Sequence, residues 1–152
     1  MIEIKSPNKI PETKDLKIFL AGSIEMGVAE NWQERVTKEL GDEPVVLLNP
    51  RRENWDPSWP QSKGFPKFRE QVEWELNALE TSDYTIMYFD PKTKSPISLL
   101  ELGLHARNGK LLVVCSEEFW RSGNVDIVCE KYKIPRFESL ESLLEHTRKV
   151  IK

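Results

Sequence analysis

The chain predicts an α/β protein: a doubly wound, flavodoxin-like, five-stranded parallel sheet with helices on both faces. Two observations carry this. Short runs rich in Val, Ile, Leu and aromatics each end in turn chemistry. Between them, apolar residues recur at three- and four-residue steps, the period of a helix with one buried face. Strands that alternate with helices need crossover connections, and these give parallel pairing with both sheet faces covered.

The first expected strand is Leu16–Ala21, stopped by Gly22-Ser23. A helix follows on Ala29, Trp32, Val36 and Leu40. Pro44–Leu48 is the second strand, ended by Asn49-Pro50. After a long loop, Phe65, Phe68, Val72, Leu76 and Leu79 mark the second helix. Tyr84–Phe89 is the third strand, ended by Asp90-Pro91, and Leu100 and Leu104 mark the helix behind it. Leu111–Cys115 is the fourth strand, followed by a helix on Val125, Val128 and Tyr132. A brief fifth strand is expected near Ile134–Phe137, and a last helix on Leu140, Leu143, Leu144, Thr147 and Ile151. Residues 1–14 hold two Pro among polar residues and read as a loose arm before one α/β domain, residues 15–152.

Composition narrows the function. With 152 residues, 22 Lys+Arg against 25 Asp+Glu and a net charge of −3, the chain is no nucleic-acid binder working by bulk charge. Two Cys make neither a disulfide framework nor a zinc site. The start lacks a signal-peptide core, and no apolar run reaches the ~18 residues of a membrane span. A cytoplasmic protein is expected, with no membrane partner.

In a sheet of this kind ligands bind at the carboxyl ends of strands, where strand order reverses. Five segments there hold candidate residues. Glu101 follows the third strand in Ser95-Pro96-Ile97-Ser98-Leu99-Leu100-Glu101-Leu102-Gly103. The spacing Ser98-x-x-Glu101 reads as a capping box. Spacing favours that cap, and the same geometry also fits a carboxylate kept ionised in a first helical turn, able to attack an electrophilic sugar carbon. Glu75 falls on the apolar stripe of its helix, whereas Glu70, Glu73 and Glu80 fall off it. A carboxyl placed there is either a buried group satisfied by a neighbour or one that holds its proton for chemistry.

The loop from Asn49-Pro50-Arg51-Arg52 through Trp55 and Trp59 to Phe65 is longer than most connections. It reads as a lid able to stack on a flat heterocycle, or as a hydrophobic flap with surface ion pairs. Gly22-Ser23-Ile24-Glu25-Met26-Gly27 allows close backbone approach, a weak signal alone. Arg121-Ser122-Gly123-Asn124 reads by spacing as a turn with an Asn N-cap. His105 and His146 lack a metal-ligand partner at suitable spacing, and no phosphate-loop, dinucleotide or zinc motif occurs.

Leu20-Ala21-Gly22-Ser23-Ile24, Asn49-Pro50-Arg51-Arg52, Trp74-Glu75, the Glu101 segment and Arg121-x-Gly123-Asn124-Val125 occur in that order. In these segments, over roughly residues 16 to 145, the chain resembles the nucleoside 2-deoxyribosyltransferase family in its short-chain second branch. The resemblance implies a retaining base exchange between 2′-deoxynucleosides and free nucleobases, without a cofactor, in nucleotide salvage. Glu101 matches the nucleophile, which forms a covalent deoxyribosyl-enzyme. Glu75 matches the acid that handles the base. Asn124 resembles the Asn that a neighbouring subunit lends to the sugar 5′-hydroxyl, so a homo-oligomer is implied. Ser23, Arg51, Trp55, Asp90 and Ser95 are further expected pocket residues.

The chain departs from the best-known branch at two places. Ile18 and Phe19 stand where that branch has a nucleophile-orienting Tyr, so Tyr88 or no group takes that part. Ser95 stands six residues before the nucleophile, in place of an Asp. Related 2′-deoxynucleoside 5′-phosphate hydrolases carry Ser there, which makes hydrolysis the alternative reaction. A non-catalytic nucleotide-binding module is the alternative of another class.

Overall fold

The computed structural model describes residues 1–24 and 30–152. The expected helix residue Ala29, and Glu25, Met26 and Gly27 of the loop, lie outside the described residues. In chain order the elements are β1 (Ile2–Lys5), β2 (Leu16–Gly22), α1 (Trp32–Glu39), β3 (Val45–Asn49), α2 (Pro66–Thr81) and β4 (Tyr84–Phe89). Then come α3 (Pro96–His105), β5 (Leu111–Cys115), α4 (Ser122–Tyr132), β6 (Arg136–Phe137) and α5 (Leu140–Val150).

The strands form one six-stranded parallel sheet in the order β1-β3-β2-β4-β5-β6. The five expected strands are β2 to β6, and among themselves they take the flavodoxin-like order. The sixth strand corrects the reading of residues 1–14 as a loose arm. Ile2–Lys5 pairs with β3, in register from Ile2 with Val46 to Lys5 with Asn49. Ile2 and Ile4 alternate with Glu3 and Lys5, but four residues are too few to stand out before Pro7. An edge strand also has only one neighbour to satisfy, so it tolerates polar residues.

Side-chain alternation along the strands builds two cores. Phe19, Ala21, Val46, Leu48, Met87, Phe89 and Val113 point to one face, where α2, α3 and α4 cover them with Trp74, Ala78, Leu79, Leu102 and Val125. Ile18, Leu20, Leu47, Ile86, Leu112 and Val114 point to the other, under Trp32, Val36 and Leu40 of α1 and Leu140, Leu143 and Leu144 of α5. Helices therefore lie on both faces, as the periodicity required. Leu76 is the exception on α2. It is 39% exposed, because Trp74, Ala78 and Leu79 centre the buried stripe farther round the helix. Among the described residues no helix is long and apolar enough to cross a membrane.

The order of the strands places the reversal between β2 and β4. Gly22 pairs with Tyr88 there. Gly22 has a φ of +134°, and a Cβ on it would stand 2.3 Å from the Tyr88 carbonyl oxygen. Glycine alone fits such a backbone against so near a neighbour. The chain leaves both strands side by side, into Ser23 and Asp90.

Candidate active site

Ser23 is buried and its hydroxyl centres a polar cluster at this edge. The hydroxyl accepts from the Asp90 backbone N–H at 2.9 Å and lies 3.0 Å from Thr93 Oγ1. It also contacts the Ser95 hydroxyl, and Thr93 Oγ1 lies 2.7 Å from Ser95 Oγ. Thr93 was not foreseen in the sequence. Its only signal is its place between Asp90 and Ser95. Asp90 is buried, and both carboxylate oxygens accept backbone N–H groups, from Glu30 at 3.0 Å and Lys92 at 2.9 Å. It therefore shapes the turn after β4.

This cluster also changes the start of α3. The N-cap is Ser95, in the left-handed region at φ 46°, and Pro96 opens the helix. Proline suits the first helical position because its fixed φ is already helical. Ser98 is therefore inside the helix rather than at its cap, and Glu101 sits in the second turn. Both sequence readings of Glu101, as capping-box partner and as first-turn carboxylate, are corrected by this one register shift. No acidic residue lies in the first turn of α3. Glu101 is only 8% exposed, and burial together with the nearby Glu75 pushes its carboxyl up to about 8. The expected steady ionisation gives way to a carboxyl that holds its proton at neutral pH.

Glu75 comes from α2, on the same sheet face as α3. It keeps some exposure, yet burial pushes its carboxyl up to about 7, opposed by the nearby Gln71 amide. The two carboxyls are thus brought together from successive helices, each in surroundings that favour the neutral form. An open hollow on the outer face of α2, lined by Arg69, Glu70, Glu73 and Trp74, contains neither.

The long loop folds onto itself. Trp55 and Trp59 pack edge to face at 5.0 Å between ring centroids, and Trp59 lies 5.9 Å from Phe65. Arg52 stacks over Trp59 and pairs with Glu70 at 2.7 Å. Arg51 turns the other way. Its guanidinium donates to Gln33 Oε1 at 2.8 Å and to the Glu30 carbonyl at 3.2 Å. Tyr88 packs on the α1 face of the sheet, stacked on Trp32 at 5.4 Å, so it does not stand beside Glu101. Asn124 is no N-cap. It is the third residue of α4, exposed, and the cap position is Arg121. Among the described residues, no hydrogen bond joins Asn124 to the hydroxyl cluster or to the carboxyl pair. Nearby, Trp120 Nε1 donates to the Lys94 carbonyl at 2.9 Å, tying the approach to α4 onto the approach to α3.

No curated protein matches the chain. In structure it is similar to a conserved protein from Enterococcus faecalis V583, at 16% identity and a TM-score of 0.60, over 89% of this chain and 98% of that one. That likeness shows the fold. A family model described as nucleoside 2-deoxyribosyltransferase like matches residues 15–119. The matched stretch takes in the hydroxyl cluster, the Trp loop and both carboxyls, and it stops short of Asn124. On that match over more than half its length, the chain belongs to the nucleoside 2-deoxyribosyltransferase-like family.

Proposed function

We propose that the protein exchanges the base of 2′-deoxynucleosides through a covalent intermediate on Glu101. The observation that carries this is a pair of largely buried carboxyls, Glu75 of α2 and Glu101 of α3, near enough that the charge of one raises the pKa of the other. A retaining glycosyl transfer needs one carboxylate as nucleophile and one acid for the leaving group. A Glu101 oxygen bonds to C1′ as the C1′–N bond breaks. The bond's electron pair goes to the base nitrogen system, and the proton of Glu75 goes with it, so a neutral base leaves. A second base then attacks C1′, its proton passes to Glu75, and the Glu101 ester opens. Two inversions give net retention.

The raised values fit this scheme once substrate enters. In the free protein burial raises both carboxyls and the charge of Glu75 raises Glu101 further, so near neutrality the pair holds protons. The singly protonated pair is the reactive form: one proton is lost to solvent, and positive charge developing at C1′ favours the Glu101 carboxylate and leaves the remaining proton on Glu75. In this reading Ser23 and Ser95 belong to the sugar end of the site and Trp55 to the base end, which Arg51 joins only by turning from Gln33 and the Glu30 carbonyl. Asn124 reaches the 5′-hydroxyl of a neighbouring copy. The outward residues of α3 support association of copies, because Ile97, Leu100 and Leu104 are 57–59% exposed on the helix that bears Glu101.

The experiment is incubation with deoxyinosine and free adenine. Deoxyadenosine appears with the native protein and not with Glu101→Gln. Full exchange by that variant overturns the assignment. The hydroxyl cluster of Ser23, Thr93 and Ser95 favours hydrolysis of deoxynucleosides or their 5′-monophosphates as the second reading. It is separated by omitting adenine: free deoxyribose, or its 5-phosphate from a nucleotide, then forms as fast as exchange did.

A further inference from the structure

Glu75 has a neighbour with unusually complete support. Gln71 lies four residues earlier on α2, a spacing that places two side chains on one face. The Gln71 side-chain amide lowers the Glu75 carboxyl against the effect of burial. Two groups from elsewhere in the chain hold that amide. Nε2 donates to the Pro50 carbonyl at 2.8 Å, and Oε1 accepts from the Ser6 hydroxyl. These partners decide which way the amide faces. A backbone carbonyl only accepts, so the nitrogen must be the atom beside Pro50. One N–H is then left over, on a side chain that shares its helix face with Glu75.

Ser6 is itself fixed. It is 4% exposed, and its backbone N–H donates to the Asn49 carbonyl at 3.0 Å. Close by, Trp74 Nε1 donates to the Asn8 carbonyl at 2.8 Å. The segment after β1 is therefore joined to α2 at Gln71 and again at Trp74. Pro50 begins the Trp-bearing loop. Gln71 stands where the N-terminal segment, that loop and the carboxyl pair meet.

We propose that Gln71 is a positioning residue: it holds the Glu75 carboxyl in one orientation and ties it to the segments at Ser6 and Pro50. What Glu75 does in turn rests on the functional reading above; how Gln71 holds it does not. Among the described residues, Glu101 of α3 is the titratable group that interacts with Glu75 from another element. A donated hydrogen bond favours the ionised carboxyl and so works against burial and against Glu101. Without it, Glu75 keeps its proton to higher pH. A group that must give a proton and take one back works best near the operating pH, so the loss slows turnover.

The test uses the full chain with 13C-labelled glutamate carboxyls, titrated by NMR; Glu75→Gln identifies the resonance. Gln71→Met keeps the length of the side chain and removes the donor. The Glu75 midpoint then rises by about one pH unit. Gln71→Ala, which any helix accepts, serves if the Met variant does not fold, and the same rise is expected. An unmoved midpoint in a folded variant overturns the proposal. In the exchange assay Gln71→Met lowers kcat about tenfold, leaves KM within about twofold and moves the alkaline limb upward. A native protein that shows no exchange defeats the functional reading alone, and the NMR titration still decides the role of Gln71.

Discussion

Glu75 and Glu101 are twenty-six residues apart in the chain, yet the charge of Glu75 raises the pKa of Glu101. Burial acts on both in the same direction, from an ordinary value of 4.5 to about 7 and about 8. This pairing has consequences for stability as well as for chemistry.

Stability falls as pH rises from about 5 to about 8. Both folded values lie above the ordinary 4.5, so in that window the native state binds more protons than the unfolded chain. The contribution is fully present below the unfolded value and is lost as pH rises through the folded ones. Thermal melts across this range show a falling Tm. Glu101→Gln flattens the slope, because an amide occupies the site without ionising.

On the proposed mechanism Glu101→Gln lowers exchange by roughly 10³-fold or more, since an amide does not form the bond to C1′. Glu75→Gln loses about 10²- to 10⁴-fold, the usual contribution of a positioned acid. Initial rates of deoxyadenosine formation from deoxyinosine and adenine check both. The Glu75 variant retains more activity with donors whose base leaves readily unprotonated.

Gly22→Ala prevents folding or lowers stability by about 3 kcal/mol or more. The added Cβ meets the Tyr88 backbone at 2.3 Å, and the residue must also adopt a φ of +134°. Neither neighbour can yield, because both belong to paired central strands. Urea unfolding of the purified variant measures the loss.

Ser23→Ala costs about 1–3 kcal/mol, because the Asp90 N–H that donates to Ser23 Oγ is left buried without an acceptor. The loss appears in urea unfolding even where no substrate is present. That separates the stabilising part of the hydroxyl cluster from any part in binding.

On the proposed association of copies, the native protein is larger than one chain by light scattering and Leu100→Glu yields single-chain mass. Leu100 is 58% exposed on the outward side of α3, so the charge disrupts association and not the core. On the proposed sharing of Asn124 between neighbours, exchange falls with the mass.

The sheet was legible in the sequence because its strands are short apolar runs bounded by Gly, Asn-Pro and Asp-Pro. Tyr84–Phe89 and Leu111–Cys115 are found where the pattern puts them. Glu75 was legible for a related reason: a charge on an apolar helical stripe is a local anomaly. The start of α3 was misread because Ser98-x-x-Glu101 and Ser95-Pro96 both signal an N-terminus. Spacing alone does not rank them. The contact of Ser95 with Ser23, seventy-two residues away, does.

By itself, then, the sequence determined the α/β class, the strand and helix periods and the two carboxyls worth testing, because each is a matter of neighbours within a few residues. Tertiary structure alone decided that Ile2–Lys5 joins the sheet, that Glu101 lies in a second turn, and that Ser6 and Pro50 hold Gln71. Those depend on burial and on contacts between distant segments, and desolvation acts only once the chain has closed around a group.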